Sequence, residues 1–389
     1  MYSYVNFAHG TTFALNLYCF ALYCFLLLIS LKGNIIGLYA RENNRTRTIL
    51  LFCGIILFSM TAFIDEDFFH YHELMAEYRG SIIDDEDVGI ETVYQYLISR
   101  SNGNYAIFRF AVWGCSAVMV VVAARLLGVS VYRTLFVVLA GFIMIFSYAR
   151  ATLAMSLFSI GVVAVCNASG EFRKKRLLVL IGIGILVCSV YFHRSMLPVI
   201  ALALCWLVLP WKSCISRYSM WLLPVFIVLF AVIIRYGFGE LSMLANSWND
   251  DETGTLDKME HYRTMKGVSS NLKGYITLLF KYSTFYIPFA IIANNFRKKE
   301  VAEMVGNRGV WLYLMVYLML VFATSLLFLG IDSSVLYYRY LFMTFIPLSL
   351  LIVYMLQVGV LITTQYFWII ACFIINILLQ FVGAIYNKF

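Results

Sequence analysis

Two sets of ionisable residues in this sequence have types and spacings that could do chemistry. The first lies in one polar stretch, Phe63 to Tyr105, which reads FIDEDFFHYHELMAEYRGSIIDDEDVGIETVYQYLISRSNGNY. It carries ten carboxylates (Asp65, Glu66, Asp67, Glu73, Glu77, Asp84, Asp85, Glu86, Asp87 and Glu91) against only Arg79 and Arg100. Asp65, Glu66 and Asp67 run straight into Phe68, Phe69 and Tyr71, while Glu91 leads an amphipathic stretch that holds Tyr94 and Tyr96. Carboxylates bind hydroxyls or take a proton from one, and rings stack on the apolar face of a pyranose, so acids beside aromatics are what a sugar site needs. Asp84 to Asp87 are denser in charge and read as a solvated run. His70, His72 and Glu73 can be drawn as a metal trio, but their spacing fits no recognised ligand pattern, and no metal is expected.

The second set is cationic. Arg109 sits about a turn inside an apolar run, and Arg150 falls between two runs in SYARATLAM. His193 and Arg194 make a similar break in VYFHRSM, Arg235 opens a polar segment, and Arg339 stands in LYYRYLF. Held at one depth near a membrane–water boundary, such cations would cradle a phosphate group. Each has a plainer reading. An arginine at a helix end can snorkel to lipid phosphates, and a lone histidine can be a structural donor. Lys281, within a later apolar run, is either a snorkelling residue or a pocket cation.

The elements that must position these residues are membrane helices. A chain of 389 residues that is 62% hydrophobic, 17% aromatic and 13% charged, with mean hydropathy +0.84, carries too much apolar surface for a soluble fold. Long apolar runs fit α-helical spans rather than a barrel, whose strands would alternate over about ten residues. Twelve spans are expected, with a range of 10–13, near 12–31, 48–64, 105–124, 134–149, 151–167, 177–192, 196–209, 219–234, 275–293, 310–329, 340–356 and 366–385. They form a single polytopic domain over 1–389, with two long loops on one face, 65–104 and 235–274. The first ten residues contain no basic stretch, so the first run reads as a retained helix.

Charge sorts between the two sets of loops. Those at 32–47, 125–133, 171–176, 211–218 and 294–308 hold sixteen Lys or Arg against Glu42, Glu171, Glu300 and Glu303, which marks them as cytoplasmic. Both long loops and both termini then share the outer face. The formal charge of +8 is orientation charge, not a nucleic-acid signal. The nine cysteines have no metal spacing and read as small buried hydrophobes. No Walker A loop, dinucleotide fingerprint, HExxH or internal repeat is found, and no cofactor is expected.

Taken in order, the acidic-aromatic motif after the second span, the Gly-Ile-Glu segment at Gly89–Glu91, the Asn102–Tyr105 turn, Arg150 with Ala154, and His193-Arg194-Ser195 resemble the EpsG/Wzy-type family of bacterial exopolysaccharide and O-antigen polymerases. The resemblance covers most of the chain, about 61–352. It matches Asp67, Phe68 and Tyr71 to the family's acidic-aromatic motif, and Glu91, Thr92 and Tyr94 to its glutamate segment. Two positions depart from the pattern: Ala62-Phe63 stands where an Arg-Tyr pair is usual, and Ala151 replaces a glutamine.

The resemblance implies a GT-C-like membrane glycosyltransferase of the bacterial cytoplasmic membrane, active on its periplasmic or extracellular face. It would join undecaprenyl-diphosphate-linked oligosaccharides for O-antigen, capsule or exopolysaccharide, beside a chain-length regulator and a flippase. Asp67, His193 and Glu91 would be the catalytic candidates, with Asp67 first. Arg150, Arg194 and Arg339 would hold the diphosphate, seconded by Arg109 and Arg235, and Asp65, Phe68, Tyr71 and Tyr94 would contact sugar. The alternatives are an O-antigen ligase-like or acyltransferase-like enzyme, a polysaccharide or lipid transporter, and an assembly subunit.

Overall fold

The computed structural model describes residues 21–28, 30–31, 45–59, 92–102, 104–141, 149–169, 171, 174–209, 212–248, 272–326 and 334–386. Among them every regular element is a helix. After a helical segment at 21–31 come α1 (Arg45–Ser59), α2 (Thr92–Arg100), α3 (Tyr105–Leu127), α4 (Val131–Ala140), α5 (Ala149–Ala168), α6 (Arg176–Phe192) and α7 (Met196–Val208). They are followed by α8 (Lys212–Trp248), α9 (Leu272–Phe296), α10 (Lys299–Leu326), α11 (Ser334–Met343), α12 (Phe345–Gln357) and α13 (Thr363–Tyr386). Each of the twelve expected apolar stretches overlaps one of these helices. Among the described residues five spans are long and apolar enough to cross a membrane: Ile107–Leu127, Arg150–Ala168, Cys214–Ile233, Lys299–Leu326 and Tyr340–Gln357. The protein is therefore an all-α, membrane-embedded chain.

Two boundaries differ from expectation for a physical reason. Hydropathy places α8 at 219–234, yet the helix begins at Lys212 and runs on through Arg235 to Trp248, into what was expected to be loop. Likewise α10 begins at Lys299, eleven residues before the apolar run at Val310. A helix needs only backbone pairing and good local propensity, so polar turns extend it past the apolar core. Within α10, Gly306 takes φ 63°, a left-handed value that bends the chain where the polar and apolar parts meet.

The centre of the bundle is α10, whose apolar part from Gly309 to Leu326 is buried at every position but Thr324. Its aromatic residues explain the packing. Phe296 and Phe289 of α9 stack on Tyr313 at 4.2 and 5.2 Å, and Phe226 of α8 meets Tyr317 edge-on at 5.9 Å. Their hydroxyls are satisfied by α8: Tyr313 pairs with the Ser219 hydroxyl, and Tyr317 donates to the Ser219 carbonyl at 3.1 Å. Trp206 of α7 donates its indole N–H to the Trp311 carbonyl at 2.9 Å. Burying ring area while pairing each polar tip is how such a core escapes the cost of unsatisfied groups.

One end of the bundle is basic. There Gln357 of α12 donates to the Gly128 carbonyl at 2.9 Å and accepts from the Ser130 N–H at 3.3 Å, clasping the α3–α4 turn. Gly128 itself has φ 77°. Asn295 of α9 donates to Val360 at 3.0 Å, and Asn167 of α5 donates to Leu126 of α3 at 2.6 Å. Around these contacts lie Arg125, Arg133, Lys174, Lys175, Arg176, Lys212, Arg217, Arg297, Lys298, Lys299 and Arg308, accompanied by Glu171, Glu300 and Glu303. Arg109, Arg150, His193 and Arg194 belong to the opposite, far end.

Candidate functional site

Three helices bring Arg109, Arg150 and His193 to one depth. Helices α3 and α5 run parallel, joined at the basic end by Asn167 and Leu126. Leu126 less Arg109 and Asn167 less Arg150 both give seventeen residues, so the two arginines stand about 25 Å up their helices from the same contact. Helices α5 and α6 run antiparallel and touch at Gly161 and Gly182, where a Cβ on Gly161 would come within 2.8 Å of the Gly182 carbonyl. Small residues at that crossing let the backbones meet. Arg150 and His193 are each eleven residues from it, about 16 Å along the axes.

Helix α2 ties the layer together. The Tyr94 hydroxyl donates to the carbonyl of Arg150 at 2.9 Å, the Arg150 guanidinium lies 5.8 Å from the centre of the Tyr94 ring, and Phe108 meets that ring edge-on at 6.4 Å. One tyrosine thus fixes the first turn of α5 against α3, beside Arg109. Tyr94 is wholly buried. It was expected as a sugar-stacking ring; a ring with no exposed face cannot stack on a pyranose, and its place is beneath Arg150 instead.

Arg109 is 1% exposed, the only charged side chain fully buried among the described residues. A guanidinium taken from both water and lipid is costly, and in membrane proteins such residues face the bundle interior and mark functional sites. His193 is half-buried at the C-cap of α6, where its N–H donates to Ser189 and Val190 and its carbonyl accepts from Met196, forming the tight turn into α7. Arg194, in that turn, is exposed. The N-termini of α3, α5 and α7 all open at this end, so their partial positive charges add to those of Arg109, Arg150 and Arg194. Helix N-termini and guanidinium groups thus gather at one level of the bundle.

Of the other expected residues, Arg339 lies in α11 and Arg235 in α8, both described by backbone path alone. Asp65, Asp67, Phe68, Tyr71 and Glu91 lie outside the described residues, as do His70, His72 and Glu73. Among the described residues no three His, Cys, Asp or Glu side chains converge as a metal site.

Sequence reasoning missed the polar seam directly beneath the layer. Trp113 and Ser116 of α3 face Thr152 and Ser156 of α5 across a small cleft. Ser116 and Ser156 donate back to the carbonyls four residues earlier, at 2.9 and 2.8 Å, so the hydroxyls are satisfied within their own helices. The signal was present: Trp113 stands four residues after Arg109, and Thr152 and Ser156 are four apart, each pair on one helical face.

Comparison of the chain with family models, with curated proteins and with solved structures returned no match. The reading of function therefore rests on the residues and their arrangement.

Proposed function

We propose that the protein is a glycosyltransferase that polymerises lipid-linked oligosaccharides at the outer face of the bacterial cytoplasmic membrane, within a GT-C-like bundle of about twelve spans. The observation that carries this reading is the common depth of Arg109, Arg150 and His193 at the end of the bundle opposite the basic loops. A diphosphate leaving group anchored in lipid needs cations at headgroup level, and the far-end arginines are suited to supply them.

In the proposed reaction, Arg150, Arg194 and Arg339 hold the diphosphate, with Arg109 and Arg235 in support. The bond between the anomeric carbon of the growing glycan and its diphosphate breaks. A new glycosidic bond forms to a hydroxyl of the incoming repeat unit, whose proton passes to Asp67, His193 or Glu91. Undecaprenyl diphosphate leaves with the charge that the arginines stabilise. A transporter, the reading from another class, calls for ionisable groups near mid-helix, whereas Arg109 stands four residues into α3.

The test is polymerisation in nanodiscs with the undecaprenyl-diphosphate repeat unit of the source strain, for wild type, Arg150→Ala and Asp67→Asn, with and without EDTA. A glycan ladder that survives EDTA in wild type and collapses in folded Arg150→Ala is expected. A confirmed native substrate left unextended by folded wild type would overturn the reading and bring ligation or transport forward.

A further inference from the structure

We propose that the basic end of α8 holds a binding site for an anionic diacyl phospholipid, a proposal independent of the polymerase reading. The headgroup part is built by two arginines from different elements. Arg297, in the turn after α9, lies 5.9 Å from the centre of the Trp221 ring of α8, and Arg217 lies 5.7 Å from that of Tyr218. Both rings are exposed, Trp221 by 71%. Arg217 is one turn before Trp221, so the two guanidiniums stand over neighbouring turns of one helix, with Lys298 next to Arg297. The ion pair in this part of the bundle, Lys175 to Glu171, involves neither arginine, and no described carboxylate pairs with them.

A guanidinium resting on an aromatic face keeps its edge donors free for a second partner. Its planar fork matches phosphate oxygens, and stacking lowers the entropy that the long side chain would lose on binding. Two such groups at the level where Trp and Tyr mark the membrane interface make a phosphate site rather than a diffuse basic surface.

The acyl part continues from the same rings. Tyr218, Trp221, Val225, Val228 and Val232 are all exposed and spaced three, four, three and four residues apart, which sets them in one stripe along α8. From Trp221 to Val232 the stripe runs about 16 Å, close to the hydrocarbon depth of one leaflet, about 15 Å. Cations at one end and β-branched side chains over one leaflet's depth are complementary to an anionic headgroup and its chains. Phosphate alone would use only the first half, and a second protein copy only the second.

The full chain in detergent would be titrated with dioleoyl phosphatidylglycerol, with dioleoyl phosphatidylcholine, and with sn-glycerol 3-phosphate, and bound molecules counted by native mass spectrometry. Wild type is expected to retain phosphatidylglycerol at least about tenfold better than phosphatidylcholine, and to bind no glycerol phosphate. The double variant Arg217→Gln/Arg297→Gln should bring the two lipids to parity. The control double variant Arg125→Gln/Arg176→Gln, which removes equal charge from α3 and α6 at the same end, should keep the preference. Equal retention of both lipids by wild type, an equal loss in the control variant, binding of glycerol phosphate as tight as that of the lipid, or a dimer in place of lipid adducts would each overturn the proposal.

Discussion

The arginines at the two ends of the bundle are chemically the same and physically opposite. At the far end Arg109 is buried between helices and Arg150 is half-buried over a tyrosine that is itself buried. At the basic end Arg217 and Arg297 lie on rings that face outward. A cation on an exposed ring keeps most of its hydration and serves as an interfacial anchor. A cation held inside the bundle carries a desolvation cost that only polar or charged partners can offset. The two ends therefore differ less in the kind of charge they carry than in how deeply it is held.

The comparison breaks first at Arg150. If burial marks function, Arg150→Ala should lower the polymerisation rate by about 10²-fold or more, the scale of losing one preorganised charge partner. Arg217→Gln/Arg297→Gln should leave that rate unchanged in the same assay. Equal losses in both would mean that the depth of an arginine carries no information about its role.

Gly161 sharpens the comparison by testing what sets the depth. A methyl group there would lie 2.8 Å from both the Gly182 carbonyl and the Leu186 Cγ, so Gly161→Ala must push α5 from α6. A cost of about 1–3 kcal/mol is expected, read as a lower thermal midpoint in detergent. Gly114, whose added Cβ would meet nothing within 4 Å, is the matched control and should shift little. Since the crossing aligns Arg150 with His193, activity should fall with the first substitution and not with the second.

Much of this arrangement was legible in the sequence, for identifiable reasons. Apolar runs report burial in lipid directly, so α3, α5, α6 and α7 lie within a few residues of their expected places, whereas α4 ends at Ala140, nine residues before the expected 149. Arg109, Arg150 and His193 share a depth because each interrupts an apolar run near its end, and run lengths in a membrane are nearly fixed. What could not be read was which side chain lies under which. Tyr94 beside an acidic stretch has the look of a sugar platform; its bond to Arg150, fifty-six residues on, exists only once α2 packs on α3 and α6. The extra turns of α8 were equally hidden, because hydropathy reports solvent preference and not backbone pairing.

Tyr94→Phe separates the ring from its hydroxyl. The ring beneath the guanidinium stays, while the Arg150 carbonyl loses its donor, a change of about 0.5–1.5 kcal/mol. The expected result is a small drop in thermal midpoint with a partial loss of polymerisation. Tyr94→Ala should cost more in both, since ring and hydroxyl go together.

The smallest expected effect lies at the basic end, at Lys212. Its ammonium is 4.1 Å from the centre of the Trp311 ring and donates to the Leu209 carbonyl at 2.5 Å, and partial desolvation lowers its pKa from the ordinary 10.5. A base whose folded pKa lies below its unfolded one sheds its proton first in the folded state. At neutral pH both states are charged and the desolvation cost is fully present. As pH rises from the folded value towards 10.5 the unfolded chain holds more protons, so folding gains stability through that window and not below it. Lys212→Met, which keeps the stem and removes the titration, should abolish this gain. The thermal midpoint of wild type relative to Lys212→Met should therefore rise between neutral pH and about pH 10.5. A difference that falls over that range would mean that contact with Trp311 and the Leu209 carbonyl outweighs desolvation, so that even an interfacial lysine here is held as a cation.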